Sequence, residues 1–186
     1  MTEKPSGVET ETPLPGSYPP RLTPSAYARP DFIARTAAIA GVYAALTLAL
    51  QPISYGPLQV RVAEALTVLP YLAAPAVPGL FLGCLLANLL GGFGWQDVVF
   101  GSAATLLAAL VTRWIGARRL SPALAPLPPV VLNALIVPAY LHLIFNLPYA
   151  LTAAQILIGQ TVACYGVGYP LLSLLMRRPD LADRLQ

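Results

Sequence analysis

Arg61, Glu64 and Asp97 are the residues best placed to do chemistry, because each carries a charge within a sequence otherwise too apolar to solvate one. Between Ala37 and Met176 the only other charged side chains are Arg113, Arg118 and Arg119. Arg61 and Glu64 stand three positions apart at the head of RVAEALTVLPYL, a spacing that puts both on one helix face. Moving an ionisable group into hydrocarbon is costly, so such residues either pair with one another or mark a functional site. The two uses are compatible. An Arg61–Glu64 pair pins the helix end, and the same carboxylate accepts hydrogen bonds from a polar ligand while Arg61 keeps it ionised. Asp97 follows the glycine-rich GGFGWQ, where an acid suits the positive end of a helix as a cap and still faces the same cavity mouth.

Uncharged polar residues at membrane depth, among them Asn88, Asn133 and Gln160, either bridge helices or face a ligand. Cys84 and Cys164 lie in apolar runs with no second cysteine or histidine at ligand spacing. They read as buried small hydrophobes, so no metal site or disulfide framework is expected. The lone His142 assembles no Ser-His-Asp group and reads as a hydrogen-bonded packing residue. Lys4 is the only lysine, which leaves no phosphate-cradling G-x-x-x-x-G-K-[ST] loop and no buried amine for a Schiff base. The expectation is a protein with no catalytic residues and no cofactor; any ATPase that energises it is a separate chain.

The elements that must position these residues follow from composition. Apolar residues make up 56% of the 186-residue chain and charged residues 10%, against roughly 25% charged in soluble domains. Too little polar surface is available to face water, and a polytopic all-α membrane protein is the consequence. Apolar stretches fall at about 33–50, 59–73, 76–92, 97–116, 128–147 and 152–176, separated by QPISYGP, AAPAVPG, GGFGWQD, SPALAPLPP and NLPY. These predict a six-helix transmembrane bundle over 32–177, with the second and third stretches shorter than the roughly 20 residues of a straight crossing. Residues 1–31 mix prolines with Ser, Thr and acids and read as a disordered cytoplasmic tail with no secretory signal; 178–186 form a short second tail.

Arg29 and Arg35 precede the first span, Arg113, Arg118 and Arg119 follow the fourth, and Arg177, Arg178 and Arg184 follow the sixth. With six crossings these clusters share one side, so both termini are cytoplasmic and Arg61, Glu64 and Asp97 lie toward the outer face. The net charge of +3 is accounted for by these flanks, and no basic stripe with interleaved aromatics suggests nucleic-acid binding. On the first span, ARTAAIAGVYAAL sets Ala37, Gly41 and Ala45, and likewise Ala40 and Ala44, at spacings that let another helix approach closely, either within the chain or from a partner.

The run from Arg61 to Arg113 resembles the QueT family of substrate-binding S components of energy-coupling factor (ECF) transporters. Its specific pieces are R-x-x-E-A-L-T-V-L-P at 61–70, P-G-L-F-L-G-C-L-L-A-N at 78–88 and D-V-V-F-G-S-x-A-T-L at 97–106; the likeness extends more loosely over 37–176. The resemblance implies a six-helix S component in the cell membrane, surrounded by lipid, that captures a queuosine precursor (a 7-deazaguanine base) at its outer face. It also implies partners, an ECF T component and two cytoplasmic ATPase subunits, with the small-residue face of the first helix docking the T component. Near 159–172 the family pattern leads one to expect a Gly-Glu pair, where this chain has Gly159-Gln160.

A guanine-type edge offers a ring N–H and an exocyclic amine as parallel donors that match the two oxygens of one carboxylate, supplied by Glu64 or Asp97. The second carboxylate would bind an aminomethyl cation, and Tyr55, Phe93 or Trp95 would stack on the base. Arg61, Asn88, Asn133 and Gln160 complete the expected substrate-binding set. The alternatives are an S component for a different vitamin and a stand-alone secondary transporter of a small polar solute. The latter would need a proton or sodium relay at the midplane, which the sequence does not suggest.

Overall fold

The computed structural model describes residues 29–51, 61–92 and 94–178, and these are helical throughout their regular elements. Most of the expected 1–31 and 178–186 tails, together with Tyr55, Phe93 and Arg184, lie outside the described residues. Helix α1 runs Pro30–Ala49, with Pro30 at its first turn where the missing N–H costs nothing. A 3₁₀ segment covers Val62–Tyr71. Helix α2 follows at Ala76–Gly91 and ends on Gly92 with φ 69°, a left-handed conformation that glycine adopts without penalty. A π-helical turn at Asp97–Gly101 leads directly into α3, Ser102–Ala117. Helix α4 spans Leu127–Phe145 and closes on Asn146 in the left-handed region. Helix α5, Tyr149–Thr161, passes through a second π-helical turn, Val162–Gly168, into α6, Tyr169–Arg177.

Four helical stretches among the described residues are long and apolar enough to cross a membrane: Pro30–Ala49, Asp97–Ala117, Pro122–Phe145 and Tyr149–Arg177. The two short stretches anticipated from the sequence are short here too. Ten residues of 3₁₀ helix rise about 20 Å and sixteen of α-helix about 24 Å, against a hydrocarbon core of roughly 30 Å. Neither crosses alone as a straight helix.

The 3₁₀ segment is nonetheless the centre of the molecule. Ala63, Glu64, Ala65, Thr67, Val68, Leu69, Pro70 and Tyr71 are all buried. Two glycines let the surrounding backbone close on it. A Cβ added to Gly168 would lie 2.8 Å from the Ala65 carbonyl oxygen, and one added to Gly116 would collide with the carbonyl of Tyr71. β-Branched Thr67 and Val68, and Pro70 with no N–H to donate, weaken the α-helical alternative locally. Packing against α3 and the second π turn supplies what propensity does not.

Helix α1 packs most extensively on α2. Gly83 sits so close to it that an added Cβ would lie 2.8 Å from both the Ala40 carbonyl oxygen and Tyr43 Cβ. The apolar core follows from this arrangement: Ile39 and Tyr43 of α1, Ala63 and Leu69 of the 3₁₀ segment, Leu80 and Cys84 of α2 and Ala109 of α3 form one cluster. Large apolar side chains such as Leu89, Leu135, Leu143 and Ile158 point outward, as lipid-facing residues do.

Candidate functional site

Glu64 is 1% exposed and is the third residue of a segment that is itself largely buried. The Tyr43 hydroxyl of α1 donates to Glu64 Oε1 at 2.6 Å, while Oε2 is buried without a hydrogen-bond partner. The bond between this phenol and the Glu64 carboxyl is short, and it restrains the side chain's rotation. The backbone carbonyl of Glu64 is held as well: it accepts from the Thr67 hydroxyl and from Cys164 Sγ of the second π turn, the latter at 3.5 Å. Cys164 also lies 3.5 Å from Gln160 Oε1, which brings Gln160 into the same network.

Asp97 forms a second, adjoining centre. Tyr140 of α4 donates its hydroxyl to Asp97 Oδ1 at 2.6 Å, and Arg61 Nη2 stands 3.7 Å from the same oxygen. The amide of Asn88 donates to the Asp97 backbone carbonyl at 2.8 Å and approaches Cys84 Sγ at 3.4 Å. Thr105, one turn into α3, donates to Cys84 from the other side. Gly101 makes room for this cluster, since a Cβ there would lie 3.2 Å from the Asn88 amide nitrogen.

Arg61, Glu64, Asn88, Asp97 and Gln160, read from the sequence as substrate-binding candidates, therefore belong to two linked hydrogen-bonded groups built by nearly every helical element. Asn133 is also buried, on the interior stripe of α4 that carries Val137 and Tyr140. Trp95 is different, being 63% exposed. It lines an open cleft of about 380 Å³ with Asn88, Leu89, Gly92, Gly94, Val98 and Val99. From it an aromatic series runs inward: Trp95 to Phe100 at 6.1 Å between ring centroids, then Phe100 stacked on Tyr140 at 5.6 Å.

Two expectations change. Arg61 reaches across to Asp97 on another element, so its electrostatic role is not confined to the Glu64 three residues on. Asp97 makes no side-chain cap; it lies inside the helical turn after Gln96, and its carboxylate is spent on Tyr140 and Arg61. The physical reason is the π turn, whose extra residue redirects the side chain from the helix end toward α4. His142 makes a local bond at a helix terminus, its Nδ1 lying 2.7 Å from the Leu147 carbonyl oxygen.

Tyr43, Tyr140, Cys84, Thr105, Thr67 and Cys164 were not singled out as site residues from the sequence. Tyr43 carried the one available signal, a polar-tipped aromatic amid alanines.

The small residues of α1 divide between two faces. Ala40 and Ala44 are buried, with Ala40 against Gly83 of α2, whereas Ala37, Gly41 and Ala45 are exposed and Gly41 has no atom within 4 Å of where a Cβ would stand. Ala40 and Ala44 are thus committed to packing within the chain.

Glu64 is thus a buried carboxyl in an apolar helical frame, with one oxygen hydrogen-bonded and the other without a hydrogen-bond partner. The same frame matches a family of known transporters: the family model described as QueT transporter covers residues 33–177. The chain belongs to the QueT transporter family. A relative in Lactococcus lactis subsp. cremoris, described as queuosine precursor transporter QueT, is 36% identical over 77 residues. That alignment covers 40% of this chain and 45% of the relative, so the match spans less than half of either protein. No solved structure matches the chain. As a QueT-family member with four apolar helices of membrane length among its described residues, it is a multi-pass membrane protein.

Proposed function

We propose that this chain is the substrate-binding S component of an ECF-type importer in the cell membrane, with its six helical segments arranged so that both termini are cytoplasmic. Its substrate is a queuosine precursor of the 7-deazaguanine class, taken up from the outer face. The observation that carries the reading is Glu64: buried, oriented by Tyr43 at one oxygen and without a hydrogen-bond partner at the other. Tyr43 uses a single lone pair of Oε1, so the carboxylate still accepts a ring N–H at Oε2 and an exocyclic amine through the remaining capacity of Oε1. Asp97 Oδ1 already accepts from Tyr140 and faces Arg61, whereas Glu64 Oε2 has no hydrogen-bond partner, which makes Glu64 the carboxylate for the base; Trp95 lines the cleft nearby.

Docking to a T component is assigned to the exposed Ala37, Gly41 and Ala45 face of α1, and the two ATPases act through that component. Small side chains there permit the close backbone approach on which helix association in lipid depends.

The test is mass spectrometry of the ligand retained by gently purified protein, followed by binding measurements on Glu64→Ala and Glu64→Gln. Both variants should weaken binding by about tenfold or more, since an unmatched buried donor costs about 1–3 kcal/mol and more with charge. Wild-type affinity in both would reduce Glu64 to a structural residue. Uptake by the isolated chain in proteoliposomes, with no T component or ATPases, would replace the S-component reading with that of a secondary carrier.

A further inference from the structure

Besides Glu64 Oε2, the amide nitrogen of Asn133 and the hydroxyl of Ser102 are buried without a hydrogen-bond partner. Asn133 is 4% exposed and Ser102 1%. Buried polar atoms are almost always satisfied, because an orphaned donor forfeits its hydration with no return. Helix α3, which begins at Ser102, packs against both the 3₁₀ segment carrying Glu64 and helix α4 carrying Asn133, so the orphan atoms come from one set of touching elements. Asn133 lies on the same interior stripe as Tyr140, whose hydroxyl reaches Asp97.

The chemistry of the orphans is complementary in a specific way. Glu64 Oε2 requires a donor, and the Asn133 nitrogen requires an acceptor. A ligand that satisfies both carries an N–H and a carbonyl oxygen, as the lactam edge of an oxo-purine-like ring does. We propose that Asn133 is a specificity-determining residue that donates to the substrate's carbonyl oxygen, while Glu64 accepts from its N–H groups. The assignment rests on the nucleobase reading above and adds to it the group that distinguishes an oxo base from one lacking a good acceptor at that position. Ser102, able to donate or accept, is the first residue of α3, which packs on both of the elements that carry Glu64 and Asn133.

The probe is a pair of bases, 7-deazaguanine and its 6-thioxo analogue, which keeps the donors and replaces the carbonyl oxygen with sulfur, a poorer acceptor. Titrations use the full-length protein in detergent, as wild type, Asn133→Ala and Asn133→Leu. Wild type should prefer the oxo base by about tenfold, and both variants should lose about tenfold in affinity for it. Affinity for the thioxo base should change by less than about twofold, so the preference collapses. Ligand-free Asn133→Leu should also melt at or above the wild-type temperature, because an apolar residue of similar size replaces an orphaned amide.

Oxo affinity within twofold of wild type in both variants, or equal loss for the two bases, overturns the assignment while leaving the nucleobase reading in place. A marked drop in the melting temperature of ligand-free Asn133→Leu would mean that Asn133 serves packing, and would overturn it too. Failure of wild type to bind either base removes the nucleobase reading and this assignment with it.

Discussion

Replacing Tyr43 with phenylalanine removes one oxygen atom from a position with 0% exposure and changes almost nothing else in volume. That hydroxyl donates at 2.6 Å to a carboxylate whose other oxygen already lacks a partner, so Tyr43→Phe removes the hydrogen bond that α1 gives to the buried Glu64 side chain. A hydrogen bond to a charged group contributes about 1.5–3 kcal/mol, and no cavity term adds to it because the ring remains. For a chain of this size each kcal/mol shifts the melting temperature by about 2–4 °C, which gives an expected drop of roughly 3–12 °C. Cys84 and Cys164 are both free and buried, so a thiol-reactive fluorophore reports unfolding directly. The decisive comparison is a double-mutant cycle with Glu64→Leu. Once the carboxylate is gone the tyrosine hydroxyl has lost its acceptor, and Tyr43→Phe in that background should be neutral or stabilising. A melting temperature for Tyr43→Phe within 1 °C of wild type (about the precision of such a scan), or the same loss in the Glu64→Leu background, would refute the coupling.

Gly116→Ala should destabilise the ligand-free protein severely or abolish its expression, because the new Cβ meets backbone at Tyr71, whereas Gly41→Ala, with open space around it, should melt like wild type. Substrate should alter the fluorescence of Trp95, which lines the cleft, and not that of Trp114, whose ring lies 4.9 Å from the Arg118 guanidinium in the arginine cluster after α3. Titrating Trp95→Phe and Trp114→Phe separately decides this, and a signal that survives only with Trp114 would move the site. Gly41→Leu should abolish co-purification with a T component while ligand binding persists; co-purification at the wild-type level would remove docking from the exposed face of α1. Ala40→Leu is no substitute for that experiment, since Ala40 is buried against Gly83 and a leucine there should disturb the fold itself.

Helical membrane character and the positions of the helical segments were legible in the sequence, because apolar length and proline-glycine breakers are local properties that report on the solvent each stretch must face. The sequence also singled out Glu64, Arg61 and Asp97, since a charge in an apolar run is conspicuous without any knowledge of its neighbours. What those charges touch was not legible there and follows from the fold. Arg61 at 3.7 Å from Asp97, Tyr43 on Glu64 and Tyr140 on Asp97 join residues 21 to 43 positions apart or on different elements, and no periodicity encodes such pairings. The same holds for the two faces of α1, where Ala40 and Gly41 are neighbours in sequence and equal in their small size. Gly83 on α2 commits one of them to the interior and leaves the other at the surface, because close packing is a property of two helices and only one of them is written in any local stretch.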